Sequence, residues 1–200
     1  PYMLSIRHLK NLGKVFPEIK SITGVAISEG SATEPQAIEA SIFNFVFDHM
    51  YGPNDDENKF VLFLIKKILS NESIQLTKCE QKRDFIYIDD LVKAYFLAVE
   101  NFDNSLSQVF YEYEVSSGEV IVLKDFVNEL FFQLSKYDNL KNNINFGAID
   151  YRKGEQMNIS LDSKSLYSIG WEAKTNLSCG IKKVILSGEK CVVASSSFRS

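Results

Sequence analysis

Residues 81–90, with the sequence QKRDFIYIDD, carry the clearest structural signal in this chain of 200 residues. The centre of the stretch, 84–86, predicts a strand. Apolar residues recur at helical spacing over 91–99, and Asp89 or Asp90 can cap the N-terminus of that predicted helix. A strand that runs directly into a helix is the connection from which α/β folds are built.

Helix and strand signals alternate along the rest of the chain. Periodic apolar residues predict further helices at 4–16, 60–69, 122–134 and 177–186. Short runs rich in aromatic and β-branched residues predict further strands at 43–47, 73–76, 108–115 and 143–146. This alternation predicts the α/β class, with one or two strands in a main parallel sheet and the others in a small separate sheet.

Composition narrows the function classes. The chain has 22 basic and 26 acidic residues and a formal charge of −4, which argues against a nucleic-acid-binding surface. Cys79, Cys179 and Cys191 are too far apart for metal-ligand spacing, so no metal site is predicted and free thiols are expected. The apolar run 60–65 is too short to span a membrane. A soluble cytoplasmic protein is therefore predicted.

The spacing of the glycines excludes a dinucleotide-binding turn from these residues. A dinucleotide-binding turn needs glycines two and three positions apart, so that backbone amides can approach a pyrophosphate. The closest two of the ten glycines are Gly24 and Gly30, so no GxGxxG motif exists in this sequence. No cofactor-binding residue is therefore predicted, and no cofactor is expected to bind this chain alone.

Three ordered motifs carry a family resemblance. They are MYGP at 50–53, RDFIYIDD at 83–90, and YRKGE at 151–155 followed by Gly170-Trp171. Over about 43–185 the chain resembles the extended short-chain dehydrogenase/reductase family, whose NAD-dependent epimerases and dehydratases act on sugar nucleotides. The motif HMYGP with the following NDD is most similar to members that make CDP-linked deoxysugars.

The resemblance implies an architecture. It predicts a partial Rossmann-like sheet, with the N-terminal nucleotide-binding strands missing from these residues, and a small α/β substrate-binding lobe. Residues 1–56 would be a remnant of the dinucleotide-binding domain, with a loop insert at 24–40. Residues 57–186 would form the sugar-nucleotide-binding lobe, and 187–200 a flexible tail. The intact family uses NAD or NADP.

Two motifs contain the residues that, by the resemblance, would bind the sugar-nucleotide diphosphate and its ribose. Arg83 matches the arginine that binds the sugar-nucleotide diphosphate, and a planar guanidinium can hold two phosphate oxygens at once. The alternative is a structural ion pair of Arg83 with Asp84 or Asp89. Arg152 and Glu155 match residues that contact phosphate and ribose hydroxyls, or alternatively belong to an exposed polar loop.

Other candidate residues have weaker patterns. His49 lies where much of the family has Asn beside the substrate, and it could instead be a core residue. Lys59 matches a region that lines the sugar-nucleotide pocket, and it could instead be solvated. A paired-carboxylate acid/base role for Asp89 and Asp90 is less favoured than helix capping.

The family's catalytic Tyr-x-x-x-Lys signature is incomplete. Tyr2 matches the tyrosine that transfers the proton, but Ile6 stands where lysine should be, and Arg7 is one step further around a helix. Arginine is a poor replacement because it stays protonated and presents a different donor geometry. Tyr2 is therefore the catalytic candidate in a chain expected to be inactive in isolation.

Two functions remain open from the sequence. The chain is either the substrate-binding portion of an NAD(P)-dependent sugar-nucleotide epimerase, dehydratase or reductase, impaired here, or a non-catalytic sugar-nucleotide-binding or interaction module. The expected ligand is a CDP- or UDP-linked sugar. The apolar segment 43–47 would need covering, either by the 24–40 insert or by a second copy in a homodimer.

Overall fold

A computed structural model describes residues 26–27, 40–101 and 110–196. The predicted N-terminal helix at 4–16, Tyr2 and most of the 24–40 insert lie outside the described residues. In chain order the elements are β1 (Ala26–Ile27), β2 (Ala40–Val46), β3 (His49–Tyr51), α1 (Phe60–Leu69), β4 (Ile74–Leu76), β5 (Lys82–Tyr87), α2 (Ile88–Glu100), β6 (Phe110–Glu114), β7 (Val120–Val122), α3 (Leu123–Leu134), β8 (Ile144–Phe146), α4 (Lys164–Ser168) and α5 (Leu177–Ser196).

The chain divides into two compact units, the first comprising residues 1–46 and 101–113. Its described part is a three-stranded sheet in the order β1-β2-β6, with β1 antiparallel to β2. Aromatic side chains stack between β2 and β6: Phe43 on Tyr111 at 5.2 Å and Phe45 on Tyr113 at 5.4 Å between ring centroids. Such cross-strand aromatic pairs are typical stabilising units of a sheet.

The second unit comprises residues 47–100 and 114–200. Its main sheet has the order β3-β5-β7, with β3 parallel and β7 antiparallel to β5. A separate two-stranded parallel sheet joins β4 to β8. The sheet and helices enclose one apolar core, in which the rings of Phe85 and Phe126 stack 3.8 Å apart. No helix in the described part of the chain is long and apolar enough to cross a bilayer.

Close backbone approach fixes two helices against the strand β3. An added Cβ at Gly180 of α5 would lie 2.0 Å from the hydroxyl oxygen of Tyr51, and one at Gly52 would lie 2.4 Å from Ile88 of α2. Only glycine leaves room for such contacts. The indole nitrogen of Trp171 donates to the carbonyl of Asp90 at 2.8 Å and ties the segment before α5 to the first turn of α2.

The structure confirms the α/β class and the helices predicted at 60–69, 91–99, 122–134 and 177–186, whereas the helix predicted at 4–16 lies outside the described residues. The predicted caps of α2 are wrong: the helix begins at Ile88, and Asp90 accepts a hydrogen bond from the Thr175 amide at 2.8 Å. The strands β3 and β7 were not predicted. The α5 backbone stays helical through Ser196, so the segment assigned to a tail is helical as far as that residue. Within the assigned insert, Ala26–Ile27 forms a strand.

Candidate functional site

The Arg83 guanidinium is buried at the start of β5 and held in a fixed orientation. Its Nη1 donates to the carbonyls of Lys82 at 2.9 Å and Gln156 at 2.7 Å. Its Nη2 donates to Oε1 of Glu155 at 2.8 Å, forming an ion pair. These three hydrogen bonds leave two of the five guanidinium N–H groups without an acceptor among the residues that the structure describes.

Glu155 reaches Arg83 because its loop docks along the beginning of β5. The Lys82 amide donates to the Met157 carbonyl at 2.8 Å, extending the backbone pairing past the strand. The Glu155 amide donates to the Arg152 carbonyl at 3.0 Å, closing a turn in which Gly154 has φ +79°. Glycine adopts this left-handed conformation without the penalty of a side chain. The sequence YRKGE therefore sets the position of the carboxylate.

Strand alternation places His49 on the same sheet face as Arg83. In the parallel β3–β5 pair His49 lies opposite Phe85, and residues two apart in a strand share a face. The ring centroids of His49 and Phe85 are 5.2 Å apart. The site therefore combines an imidazole with a guanidinium on one face of the sheet.

A carboxylate lies next to this imidazole. Oδ1 of Asp48 is 2.9 Å from Nδ1 of His49, although the nitrogen lacks the aligned geometry of a hydrogen bond. Oδ2 of Asp48 accepts the Asp84 amide at 2.9 Å. Burial raises the pKa of Asp48, but the contacts with His49 and the Asp84 amide and the nearby charge of Arg83 outweigh it, so the net pKa is lowered.

The side chains of the two remaining described candidates, Lys59 and Arg152, take no part in the Arg83–Glu155 ion pair. Lys59 forms an ion pair with Asp55 at 2.8 Å, and its side chain is 40% exposed. Arg152 is exposed. Within the described residues, neither side chain makes a hydrogen bond or ion pair with Arg83 or Glu155. The structure thus brings Arg83 and Glu155 into contact, with His49 on the same face.

Asp84 does not pair with Arg83 but organises a neighbouring loop. Its carboxylate accepts the Ser116 hydroxyl and, at 2.9 Å, the Ser117 amide. Asp89 instead lies 3.6 Å from Lys183. The alternative ion pairs considered for Arg83 with these two aspartates are therefore wrong, because Glu155 is the partner.

A small concavity has Phe85 in its lining. Its lining comes from β5, β7 and the segment that leads into α5, and comprises Phe85, Ser117, Glu119, Ile121, Thr175, Asn176 and Leu177. The Ser117 amide donates to the Asp84 carboxylate, and the Asp84 amide donates to Asp48 beside His49, which links this concavity to the candidate site. The Asp84 network therefore supports both features.

Three tyrosines in the described residues have pKa values raised well above neutrality, so they are unsuited to proton transfer near pH 7. Burial raises the pKa of Tyr87 to about 12, assisted by the charges of Asp89 and Asp90. Burial also raises the pKa of Tyr95 to about 12 and that of Tyr51 further still. Across the described ranges no group of His, Cys, Asp and Glu has the arrangement of a metal site.

Sequence reasoning did not select Gln81 or Asp48, although both carried a signal. Gln81 precedes Arg83 by two positions, so strand alternation would place the two on one side. Its Nε2 lies 3.4 Å from Oε1 of Glu155. Asp48 immediately precedes His49, and an acidic residue beside a candidate imidazole is a usual orienting partner.

Comparison with known families and proteins finds similar sequences. The sequence model of the NAD dependent epimerase/dehydratase family matches residues 31–112. CDP-abequose synthase of Salmonella muenchen is 32% identical over 184 residues, covering 92% of this chain and 55% of the relative. The chain therefore spans about half the length of the curated relatives it matches.

Solved structures share the fold. MoeE5 in complex with UDP-glucuronic acid and NAD aligns with a TM-score of 0.64 at 22% identity, covering 76% of this chain and 48% of that one. UDP-glucose 4-epimerase from Thermotoga maritima, solved with UDP-glucose, aligns with a TM-score of 0.61 at 24% identity, covering 78% and 47%. These likenesses confirm the Rossmann-like α/β fold that the sequence predicts.

Proposed function

We propose that this chain, which resembles the NAD dependent epimerase/dehydratase family model over residues 31–112 and CDP-abequose synthase over 92% of its length, forms the sugar-nucleotide-binding part of such an enzyme. The proposed ligand is a CDP-linked sugar, because the relatives include CDP-abequose synthase. A UDP-linked sugar is the second choice. NAD or NADP would serve the intact enzyme, and this chain supplies the substrate side.

The buried, partly engaged guanidinium of Arg83 is the observation that carries the proposal. A charged residue that is only 7% exposed must be paired, and Glu155 provides one negative charge. Its Nη1 is anchored on two carbonyls, so the plane of the guanidinium is fixed before a ligand arrives. A preorientated guanidinium with donors remaining is suited to bidentate binding of a diphosphate.

The other candidates would complete the ligand's contacts. His49 shares the sheet face of Arg83 and would hydrogen-bond a phosphate or a sugar hydroxyl. Arg152 would add a second cation from the exposed turn, Glu155 would contact ribose hydroxyls, and Lys59 would line the pocket. Convergence of Arg83 and Arg152 on one diphosphate remains a prediction.

Catalysis is proposed to be impaired. Tyr2 would be the proton-transfer residue, but Ile6 replaces the lysine that holds the family's nicotinamide ribose and lowers the tyrosine pKa. An apolar side chain can do neither. This substitution is also the observation that favours a non-catalytic sugar-nucleotide-binding protein, the second candidate function.

Calorimetric titration with CDP-glucose and UDP-glucose tests the proposed site. Arg83→Gln removes the buried charge, and we expect it to weaken binding at least ten-fold, because charge-assisted hydrogen bonds contribute about 1.5–3 kcal/mol. Lys82→Gln is the matched control: it removes the same charge from the adjacent, exposed residue and should leave the dissociation constant unchanged.

A second variant separates binding from folding. Arg152→Gln changes an exposed side chain, so the fold should persist while the affinity for the diphosphate falls. Far-UV circular dichroism would establish that each variant is folded. Unchanged affinity in folded Arg83→Gln would contradict the proposal. Retained binding without turnover, after Ile6→Lys in a chain extended to the relatives' full length, would favour the non-catalytic function.

A further inference from the structure

Two buried side-chain polar atoms of the described residues lack a hydrogen-bond partner, and both lie in the candidate site. They are Oε1 of Gln81 and Nδ1 of His49, but the His49 nitrogen already faces Oδ1 of Asp48 at 2.9 Å, so the Gln81 oxygen is the atom that needs a partner. Leaving a buried acceptor unpaired costs about 1–3 kcal/mol. Native structures rarely retain such atoms without a reason. The Gln81 oxygen lies in a residue that contacts the Arg83–Glu155 pair, so a ligand bound there could supply the missing donor.

The orientation of the Gln81 amide follows from its neighbour. Nε2 lies 3.4 Å from Oε1 of Glu155, so the amide nitrogen faces the carboxylate. The reverse orientation would bring the carbonyl oxygen against a negatively charged oxygen. The side-chain oxygen of Gln81 is therefore the unpaired group, and a carbonyl oxygen can only accept a hydrogen bond.

Gln81 is also positioned by its backbone. Its carbonyl accepts the Leu123 amide at 2.9 Å, which fixes the residue between β5 and the start of α3. The residue is 5% exposed. Among its polar neighbours Glu155 has the more exposed side chain, at 23% against 9% for Arg83. Glu155 is therefore the more accessible member of the Arg83–Glu155 pair.

We propose that Gln81 is a ligand-binding residue whose side-chain carbonyl accepts a hydrogen bond from a sugar hydroxyl of the bound nucleotide. This inference rests on the proposed function, because the Arg83 guanidinium would hold the diphosphate beside it. The hydroxyl belongs either to the ribose or to the hexose. Both satisfy the same acceptor, and a nucleotide that lacks the hydroxyl would leave it unpaired.

Gln81→Met provides the test because methionine has a similar length and no acceptor. Titration with CDP-glucose, CDP and inorganic pyrophosphate distinguishes the ligand groups. We expect about ten-fold weaker CDP-glucose binding, the effect of one lost hydrogen bond. Pyrophosphate affinity should be unchanged. A loss shared by CDP indicates a ribose hydroxyl, and a loss confined to CDP-glucose indicates the hexose.

The stability of the ligand-free protein supplies an independent readout. Gln81→Met removes the unpaired buried acceptor together with the long 3.4 Å contact of Nε2 with Glu155, so its melting temperature should stay close to that of the wild type. If this variant does not fold, Gln81→Asn retains the amide but withdraws the oxygen by one methylene, and should show the same selective loss.

Three results would overturn the inference: unchanged CDP-glucose affinity, an equal loss for pyrophosphate, or a melting temperature well below that of the wild type. An equal loss would mean that Gln81 only supports Arg83. The two failures are distinguishable. If only this inference fails, Arg83→Gln still weakens CDP-glucose binding at least ten-fold; if the proposed function fails, Arg83→Gln leaves the affinity unchanged.

Discussion

At the scale of single residues, Asp48 shows how charge is balanced in the site. Its carboxylate contacts the His49 ring and accepts the Asp84 amide, and it lies close enough to Arg83 to feel that charge. Because these interactions favour the ionised form, its pKa is lowered from the ordinary 3.8 despite burial. Ionised Asp48 therefore stabilises the folded protein.

The pH dependence of stability should report this carboxylate. A lowered folded-state pKa gives a contribution that is present above about pH 4 and is lost as the pH falls through the folded-state value. Asp48→Asn should therefore lose about 1–2 kcal/mol at pH 7 relative to the wild type, with a smaller difference at pH 3. Urea unfolding at both pH values provides the measurement.

Asp150→Asn is the control for this prediction, because Asp150 is exposed. Its unfolding free energy should follow that of the wild type at both pH values. A difference between Asp48→Asn and the wild type that grows as the pH falls would show that the carboxylate does not favour its ionised form in the folded protein.

Residue roles were only partly predictable from the sequence. Arg83 could be selected because its motif is specific, but its partner Glu155 is 72 positions away, and the nearby Asp84 and Asp89 were the natural alternatives. Sequence proximity is a weak guide to a buried charge pair, since the docking of a distant loop decides it. Strand alternation could have placed Gln81 beside Arg83, but the missing partner of its side-chain oxygen is visible only after folding.

At the scale of elements, the contact of α5 with β3 depends on the absence of a side chain. Helix α5 brings Gly180 against the Tyr51 ring, which is 1% exposed and cannot move aside. The Tyr51 hydroxyl also donates to the Leu177 carbonyl at 3.5 Å, in the first turn of α5. The helix therefore packs directly on the strand that carries His49.

Gly180→Ala should destabilise the protein, although alanine is normally favoured over glycine in a helix by about 1 kcal/mol. The added Cβ would lie 2.0 Å from the tyrosine hydroxyl oxygen and 2.8 Å from the adjacent ring carbon. We expect a loss of about 1–3 kcal/mol from overpacking, measured by urea unfolding.

Tyr51→Phe tests the cause of that loss. It removes the nearest atom, so Gly180→Ala should cost less in the Tyr51→Phe background than in the wild type. Lys182→Ala, on the exposed part of the same helix, is the control and should have little effect. A stabilising Gly180→Ala would mean that α5 does not pack closely on β3.

Element length determined what the sequence could predict. The helices α1 and α3 have two or more turns with a clear apolar face, so periodicity located both. The strands β3 and β7 have three residues each, too few to establish an alternating pattern. The α2 caps were misassigned because Asp90 bonds to Thr175, a tertiary contact that competes with capping.

At the scale of the whole molecule, the described site lies entirely in the second compact unit. Arg83, Glu155, His49 and Gln81 all belong to it, and the sequence contains no GxGxxG motif. The chain also spans about half the length of its curated relatives. Binding of the sugar nucleotide should therefore be separable from binding of the dinucleotide cofactor.

Calorimetric titration of the wild-type chain with CDP-glucose and with NAD, under the same conditions, tests this account most directly. We predict measurable binding of CDP-glucose, at least ten-fold weaker in Arg83→Gln and unchanged in Lys82→Gln, with no binding of NAD at matched concentrations. Tight binding of NAD without binding of CDP-glucose or UDP-glucose would contradict the account.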